Sequence, residues 1–441
     1  MARFLLTTQP IPGHINPMVP IARELVARGH DVLWYTGELF RPAVEKSGAR
    51  YLPMNAAPDF DLTDPTVMPE RHGLKGIAQL KFYLQHMLLD SAPGQVQDLA
   101  AYVERWPVDA LFSDITFLGS LYLAELGGPP CAVLGATAYP QLSRDTAPYG
   151  LGWQPSSGFF GRLRNQLLNA LVGRVMFADV NRYADRVRRS IGLPPTDFAF
   201  IDTAPLLSDL YLQATAAAFE YPRSDLPAKV HFIGPLIHRP SEPFEPPTWW
   251  AELDAGRPVV HVTQGTIATA HEQLMVPAIQ ALADEDVLVI ATTGGKTAAE
   301  FPLSPLPANV RLEPFVPYHS LLPKVDVMIT NAGYGGVQFA LAHGVPLVAA
   351  GRTEDKKEIC ARLEWAGVGL TLPTESPSPR QIREAVRQIL GNPRYREDSR
   401  RLKADFDRHD APREAADLLE QFDAGRAVQG APQVGARRAR Q

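Results

Sequence analysis

The 441-residue chain carries 43 Lys and Arg against 48 Asp and Glu, a formal net charge of −5, so no basic excess points to nucleic acid. Its length exceeds what one hydrophobic core usually serves, and two domains of about 200 residues each are expected. The two cysteines, Cys131 and Cys360, lie far apart, make neither a disulfide framework nor a zinc motif, and fit a reducing, cytoplasmic setting.

Residues 3–8 read as a buried strand at the N-terminus. Their apolar run is too short for a signal peptide and is broken by Pro10 and Pro12. No stretch of the sequence is long and apolar enough to span a bilayer. Residues 9–17 read as a turn-rich loop holding Gly13 and His14. Residues 18–28 follow as a helix, with Ile21, Ala22, Leu25 and Val26 on one face and Gly29 at its end. Residues 30–36 are the next strand. This opening announces a parallel sheet covered by helices. Its first loop lacks Gly-x-Gly-x-x-Gly, which argues against a dinucleotide site. Ligands of such sheets bind beyond the carboxyl ends of the strands, where His14 lies. The plainer role of a lone loop histidine is packing.

Residues 53–75 form a loop, and 80–89 and 95–105 look helical. Residues 109–114 are a strand ending in Asp114, a place where an acid commonly caps or turns the chain. Residues 118–126 are the helix after it. Between 159 and 191, arginines from Arg162 to Arg189 recur among apolar residues. Such a helical stretch can make weak contact with an anionic membrane surface, but a solvated helix face is the preferred reading. Residues 230–236 close the first half. Residues 238–250, with Pro240, Pro243, Pro246 and Pro247, make a stiff linker between a domain at 1–237 and one at 251–423. Residues 424–441, rich in Ala, Gly, Arg and Gln, read as a disordered tail.

The second domain opens on a strand at 258–263 and the loop Gln264-Gly265-Thr266. A strand at 287–292 leads into Thr293-Gly294-Gly295-Lys296, which is not a P-loop. Phe315-Val-Pro317 precedes a strand at 325–330 and the turn Asn331-Ala-Gly333-Tyr-Gly335-Gly336. A short helix at 338–343 is stopped by Gly344, and Gly344-Val-Pro346 and Asp355-Lys356 follow. Glycines let backbone N–H groups approach a ligand, and a helix start adds free donors and a positive dipole end, which suits a pyrophosphate. Residues 370–373 are a short strand, and 379–390, 395–406 and 412–422 are helices. Three Asp-x-Asp pairs, at Asp59/Asp61, Asp284/Asp286 and Asp405/Asp407, do not follow strand ends. They read as surface carboxylates, and no metal site is expected.

These pieces together resemble the donor signature of the nucleotide-sugar-dependent glycosyltransferases with the GT-B fold. That family includes bacterial macrolide and antibiotic glycosyltransferases and the UDP-glycosyltransferases of plants and animals. Phe315 and Pro317 match its base-holding piece, Gly333, Gly335 and Gly336 its diphosphate piece, Gly344-Val-Pro346 its third piece, and Asp355 its sugar-touching acid. Gly265 and Thr266 match its phosphate-facing loop. Gly13-His14 resembles the opening whose His is the catalytic base, and Asp114 matches the acid that orients it. The chain departs from the pattern at Tyr318 and Lys356, where the family has Gln. It departs also at Asn331, for the diphosphate His, and at Phe339, for a ribose-binding Glu beside Gln338.

The resemblance implies two doubly wound, Rossmann-like α/β domains facing across a cleft, with the final helix returning to the first. It implies catalytic roles for His14 and Asp114. The donor-binding set would be Gly265, Thr266, Phe315, Pro317, Asn331, Gly333, Gly335, Gly336, Gln338, Asp355 and Lys356. The implied activity moves a hexose from a UDP- or dTDP-sugar co-substrate to a hydroxyl of a small, largely apolar natural product or lipid. Inversion is implied, with no cofactor and no metal. The alternative is a non-catalytic nucleotide-sugar-binding protein of the same fold. The changes at Asn331, Phe339 and Lys356 favour it, and the His14–Asp114 pair opposes it.

Overall fold

The computed structural model describes residues 1–61, 67–74, 76–237, 244–265, 270–353 and 355–423. The expected tail at 424–441 and residues 238–243 of the expected linker lie outside them, as does Thr266.

The first half forms a parallel sheet of β1 (Arg3–Thr7), β2 (Asp31–Tyr35), β3 (Arg50–Leu52), β4 (Ala110–Asp114), β5 (Cys131–Gly135), β6 (Leu210–Gln213) and β7 (Val230–Phe232). Their order is β3-β2-β1-β4-β5-β6-β7. The second half adds β8 (Val259–Thr263), β9 (Leu288–Thr292), β10 (Val310–Glu313), β11 (Val327–Thr330), β12 (Leu347–Ala349) and β13 (Gly369–Thr371). These form a second parallel sheet in the order β10-β9-β8-β11-β12-β13. Both are the doubly wound sheets expected from the sequence.

Strand side chains alternate between two buried layers, as sheets covered on both faces require. Phe4 and Leu6 pack with one cluster and Leu5 with the opposite one. In the second sheet, Met328 and Leu347 go to one side and Val327 and Val348 to the other.

Strand order reverses between β1 and β4 in the first sheet and between β8 and β11 in the second. Loops leaving the two central strands on either side of such a reversal diverge and leave a crevice at the carboxyl ends. His14 follows β1 and Asp114 ends β4; Gly265 follows β8 and Asn331 follows β11. Both halves of the expected site therefore stand at reversal points.

Two helix starts differ from expectation. The first helix runs Pro12–Ala27, so Gly13 and His14 belong to its first turn and not to a loop. Proline is accepted there because the first N–H groups of a helix lack intrahelical partners anyway. Pro17 and Pro20 lie inside the helix and leave the carbonyls four residues earlier without that donor. The helix expected at 338–343 runs Tyr334–Ala342, so Gly335 and Gly336 also fall in a first turn.

The Ala411–Asp423 helix lies against the Pro12–Ala27 helix of the first half. Its Ala415, Ala416 and Leu419 pack with Met18, Ala22 and Leu25 of the Pro12–Ala27 helix. Arg28 bonds Asp417 at 2.6 Å and His30 bonds Glu420 at 2.8 Å across that contact. Phe244, Trp249 and Trp250, at the end of the expected linker, pack against the second-domain core.

The basic stretch folds as the helices Phe159–Leu171 and Ala178–Ser190. Five of its seven arginines, Arg164, Arg174, Arg182, Arg186 and Arg189, are exposed, in keeping with the solvated face preferred from the sequence, and the other two are tied to acids. Arg188 is buried on Glu125 at 2.6 Å, and Arg162 bonds Asp145 at 2.7 Å. The first helix also turns apolar residues outward. Its inner face is polar because Asn165 and Asn169 satisfy carbonyls of the 143–156 loop beneath it.

Candidate active site

In the first turn of the Pro12–Ala27 helix, the Nδ1 of His14 lies 3.0 Å from Asp114 Oδ1. The carboxylate is held from three further directions. The Gln9 N–H donates to Oδ2 at 2.6 Å, and the Thr116 N–H and hydroxyl donate to Oδ1 at 2.7 and 2.6 Å. Asp114 is 4% exposed along its side chain, whereas His14 keeps 22%. A carboxylate on Nδ1 fixes the neutral tautomer with its lone pair on Nε2. That nitrogen has no hydrogen-bond partner among the described residues.

Burial alone lowers the pKa of His14, but the charge and hydrogen bond of Asp114 outweigh it, with the charge of Asp355 adding to them. The imidazole is thereby raised above its ordinary 6.5. Burial raises the Asp114 carboxyl, and His14, Thr116 and Gln9 together hold it below the usual carboxylate value. The pair has the geometry of an imidazole base with a fixed anionic partner.

Asp355 brings the second domain to this pair. Its Oδ2 accepts from the Thr137 hydroxyl at 2.5 Å, and that hydroxyl is also 3.2 Å from the Tyr149 OH. Gln213 fixes Thr137 in turn by donating to its carbonyl at 2.6 Å. Lys356 opens the Lys356–Trp365 helix, its Nζ 3.3 Å from the Thr353 hydroxyl.

Around the β8 and β11 ends, Asn331 works as a tie between loops. Its Nδ2 donates to the Gln264 carbonyl at 2.6 Å, and its Oδ1 accepts from the Gly333 N–H at 3.3 Å. The second bond is an Asx-turn. It spans Ala332, which holds the left-handed φ of 65° that a non-glycine residue adopts only when its surroundings enforce it. Gly333 then caps the Tyr334–Ala342 helix, and nothing lies within 4 Å of where a Cβ of Gly335 would stand. The space beside Gly335 is thus open at a helix start whose first N–H groups have no intrahelical partners, an arrangement that suits an anion. Gly265 lies alongside, its φ +81° and its Cβ direction 3.8 Å from Asn331 Oδ1.

Phe315 is 62% exposed, its ring 3.4 Å from where a Cβ of Gly295 would stand. Pro317 caps the short Tyr318–Leu321 helix. Tyr318, in the family's Gln position, packs its ring against His261 and Phe339.

The structure does not bring Gln338 to this cleft. It is buried at the domain contact, its Nε2 donating to the Thr215 hydroxyl at 3.1 Å. The helix phase set by the early start at Tyr334 turns it inward. Among the described residues no three His, Cys, Asp or Glu side chains gather as a metal site.

Sequence reasoning missed Gly351, where a Cβ would meet the Asn331 carbonyl at 2.4 Å. It also missed Thr137 and the clamp around Arg362. Arg362 is fully buried, donates from Nε to Glu220 at 2.7 Å and from Nη1 to Glu358 at 3.0 Å. Glu358 also accepts the N–H groups of Gly150 and Gly152 at 2.8 and 2.9 Å. The i,i+4 spacing of Glu358 and Arg362 was a readable signal; their distant partners were not.

Residues 276–422 match the family model of the erythromycin biosynthesis protein CIII-like C-terminal domain. The chain is 49% identical over 420 residues to the 4'-demethylrebeccamycin synthase of Lentzea aerocolonigenes, spanning 95% of this chain and 99% of the relative. It is 32% identical over 437 residues to UDP-glycosyltransferase 2 of Phaeomoniella chlamydospora, spanning 95% of each. The solved glycotransferase of kitacinnamycin shares its fold with a TM-score of 0.74 at 24% identity, over 95% of this chain and 98% of that one.

Proposed function

This chain belongs to the nucleotide-sugar-dependent glycosyltransferases of the GT-B fold, and on that premise we propose an inverting, metal-independent transfer of a hexose to a hydroxyl of a small, largely apolar acceptor. The observation that carries the reading is the His14–Asp114 hydrogen bond, set at the strand-order reversal of the first sheet and within the electrostatic reach of Asp355. A module that only bound nucleotide sugar would have no use for that pair.

In this reading an acceptor hydroxyl gives its proton to Nε2 of His14 as its oxygen bonds the anomeric carbon. The bond from that carbon to the diphosphate oxygen breaks, and its electron pair leaves with the nucleoside diphosphate. Attack opposite the leaving group inverts the centre. Asp114 stabilises the imidazolium that results. The open N–H groups of Gly335 and Gly336 and the ammonium of Lys356 receive the charge growing on the diphosphate, so no metal is required. Phe315 offers a face for the base of a UDP- or dTDP-sugar, and Asp355 is assigned to the sugar hydroxyls.

For the acceptor, an open cavity of about 510 Å³ is lined by Pro58, Phe60, Met68 and Phe82, with Glu70, His86 and Asp90. A Cβ at Gly37, just after β2, would meet Asp59, so this wall stands at the same end of the sheet as His14. Its aromatic and aliphatic lining supports an apolar acceptor. The relative named for making 4'-demethylrebeccamycin supports a natural product in that role.

The test incubates the protein with a panel of UDP- and dTDP-sugars, with and without apolar hydroxylated acceptors, with and without chelator, and measures nucleoside diphosphate release and product stereochemistry. Acceptor-dependent release that survives chelation, with an inverted product, is expected. Retention of anomeric configuration or loss of transfer on chelation would overturn the mechanism.

A further inference from the structure

We propose that the surface built by the Phe159–Leu171 helix and the turn after it docks on an anionic lipid bilayer. Phe159, Phe160, Leu163, Leu167, Leu171 and Val175 are all exposed, Phe160 to 83% and Leu167 to 64%. Their three- and four-residue spacing puts them on one side of the helix. A surface helix ordinarily turns such a stripe to the core. Here the inward side is polar and already satisfied: Asn165 donates to the Arg144 and Ser156 carbonyls, and Asn169 to Ser143.

Charge selects the occupant. No Asp or Glu occurs between Asp145 and Asp179. Those two acids are themselves engaged, by Arg162 at 2.7 Å and Lys81 at 2.9 Å. Arg164 lies over the ring of exposed Trp153 at 5.4 Å. Arg174 and Arg182 line an open cavity of about 460 Å³ that shares Ala170 with the helix and Gly173 with the turn after it. Asn169, Asn181 and one acid, Asp197, also line it.

An apolar stripe bordered by arginines, with a basic recess beside it, matches acyl chains and anionic headgroups. A second copy of this chain would instead set Arg164 and Arg174 against their own equivalents with no acid on the helix to receive them. Among the described residues no helix is long and apolar enough to cross a membrane, so the contact rests on the surface.

The experiment sediments the full chain with vesicles of phosphatidylcholine alone and of phosphatidylcholine mixed with phosphatidylglycerol. Binding to the anionic vesicles, weakened by salt, is expected. Leu167→Glu and, separately, Arg174→Glu should each weaken it, by roughly fivefold per positive charge removed for the arginine. Melting temperature and transfer to a dissolved acceptor should stay at wild-type values in both variants, which keeps this result separable from the transfer reading. Equal or absent binding to the two vesicle types would overturn the proposal. So would a Leu167→Glu variant that still binds vesicles while a wild-type dimer dissociates, because a second copy would then cover the stripe.

Discussion

Nδ1 of His14 is committed to Asp114, so a proton from an acceptor has only Nε2 to go to. His14→Ala should lower transfer by about 10²–10⁴-fold, the usual share of general base catalysis, with nucleotide affinity unchanged in calorimetry. The pH dependence follows from the raised imidazole. Below its pKa, which lies above 6.5, His14 is protonated and cannot act as a base. The rate against free enzyme should therefore fall on the acid side through a value above 6.5. Asp114→Asn removes the partner that raises this pKa and leaves the burial that lowers it. The acid limb should move to lower pH even as the maximal rate drops, because the imidazolium loses its anion. A limb that stays in place while the rate falls would mean that another group titrates there. Lys356 differs from its family counterpart in charge and in lacking an acceptor. Lys356→Gln should reorder the preference among nucleotide sugars more than it changes affinity for the free nucleotide, and an unchanged ranking would remove Lys356 from sugar selection.

The two helix starts carry most of what the element scale adds. Pro12 and the glycines at 335 and 336 punctuate the sequence as loops, because Pro and Gly are poor in helix interiors. In a first turn that penalty fades, since the N–H that Pro lacks has no partner there and Gly keeps the open donors unshielded. The motifs were thus legible while their secondary structure was not. Strands with long β-branched runs, such as β8, β9 and β11, were legible too. β3, β6 and β12 were not, because Arg50–Leu52 and Leu210–Gln213 hold no β-branched residue and Leu347–Ala349 only one, whereas the equally short β11 holds three. Asn331 shows the limit at single residues. Its match to a family histidine suggested a phosphate donor, yet its side chain spans from Gln264 to Gly333 and steadies Ala332. Asn331→Ala should accordingly lower stability by about 1–2 kcal/mol for two lost hydrogen bonds, read as a lower unfolding midpoint, and weaken nucleoside diphosphate binding with it. Weakened binding at an unchanged midpoint would instead assign the side chain directly to the diphosphate.

Across the whole molecule, the proposed transfer needs a base on one sheet to meet a donor on the other, and the sequence contains no local pattern for that meeting. It is made by contacts between residues far apart in the chain: Thr137 with Asp355, Gly150 and Gly152 with Glu358, and Glu220 with Arg362. Glu220 also accepts the Tyr139 N–H at 3.0 Å, so the loop that carries Thr137 is anchored through the same buried arginine. Gly152 is constrained there by its φ of +66° and by the Lys357 carbonyl, 2.8 Å from where its Cβ would stand. Arg362 is the centre of this clamp, flat over the Tyr221 ring at 4.2 Å with no exposed surface. Two carboxylates depend on it for their countercharge. Arg362→Met fills much of the volume but leaves Glu220 and Glu358 buried without the cation they bond, with only the charge of Arg223 still near Glu220, and breaking such a buried pair costs about 3–5 kcal/mol in comparable cases. The variant should unfold at a clearly lower urea concentration. At temperatures where it remains folded, transfer should fall although His14, Asp114 and the donor loops are untouched, because Thr137 no longer holds Asp355 in register. The distinguishing measurement is nucleotide affinity, which the proposed function assigns to the second domain alone and which should survive. If Arg362→Met lost nucleotide binding as severely as transfer, the clamp would be serving the donor loops and not the approach of the two domains.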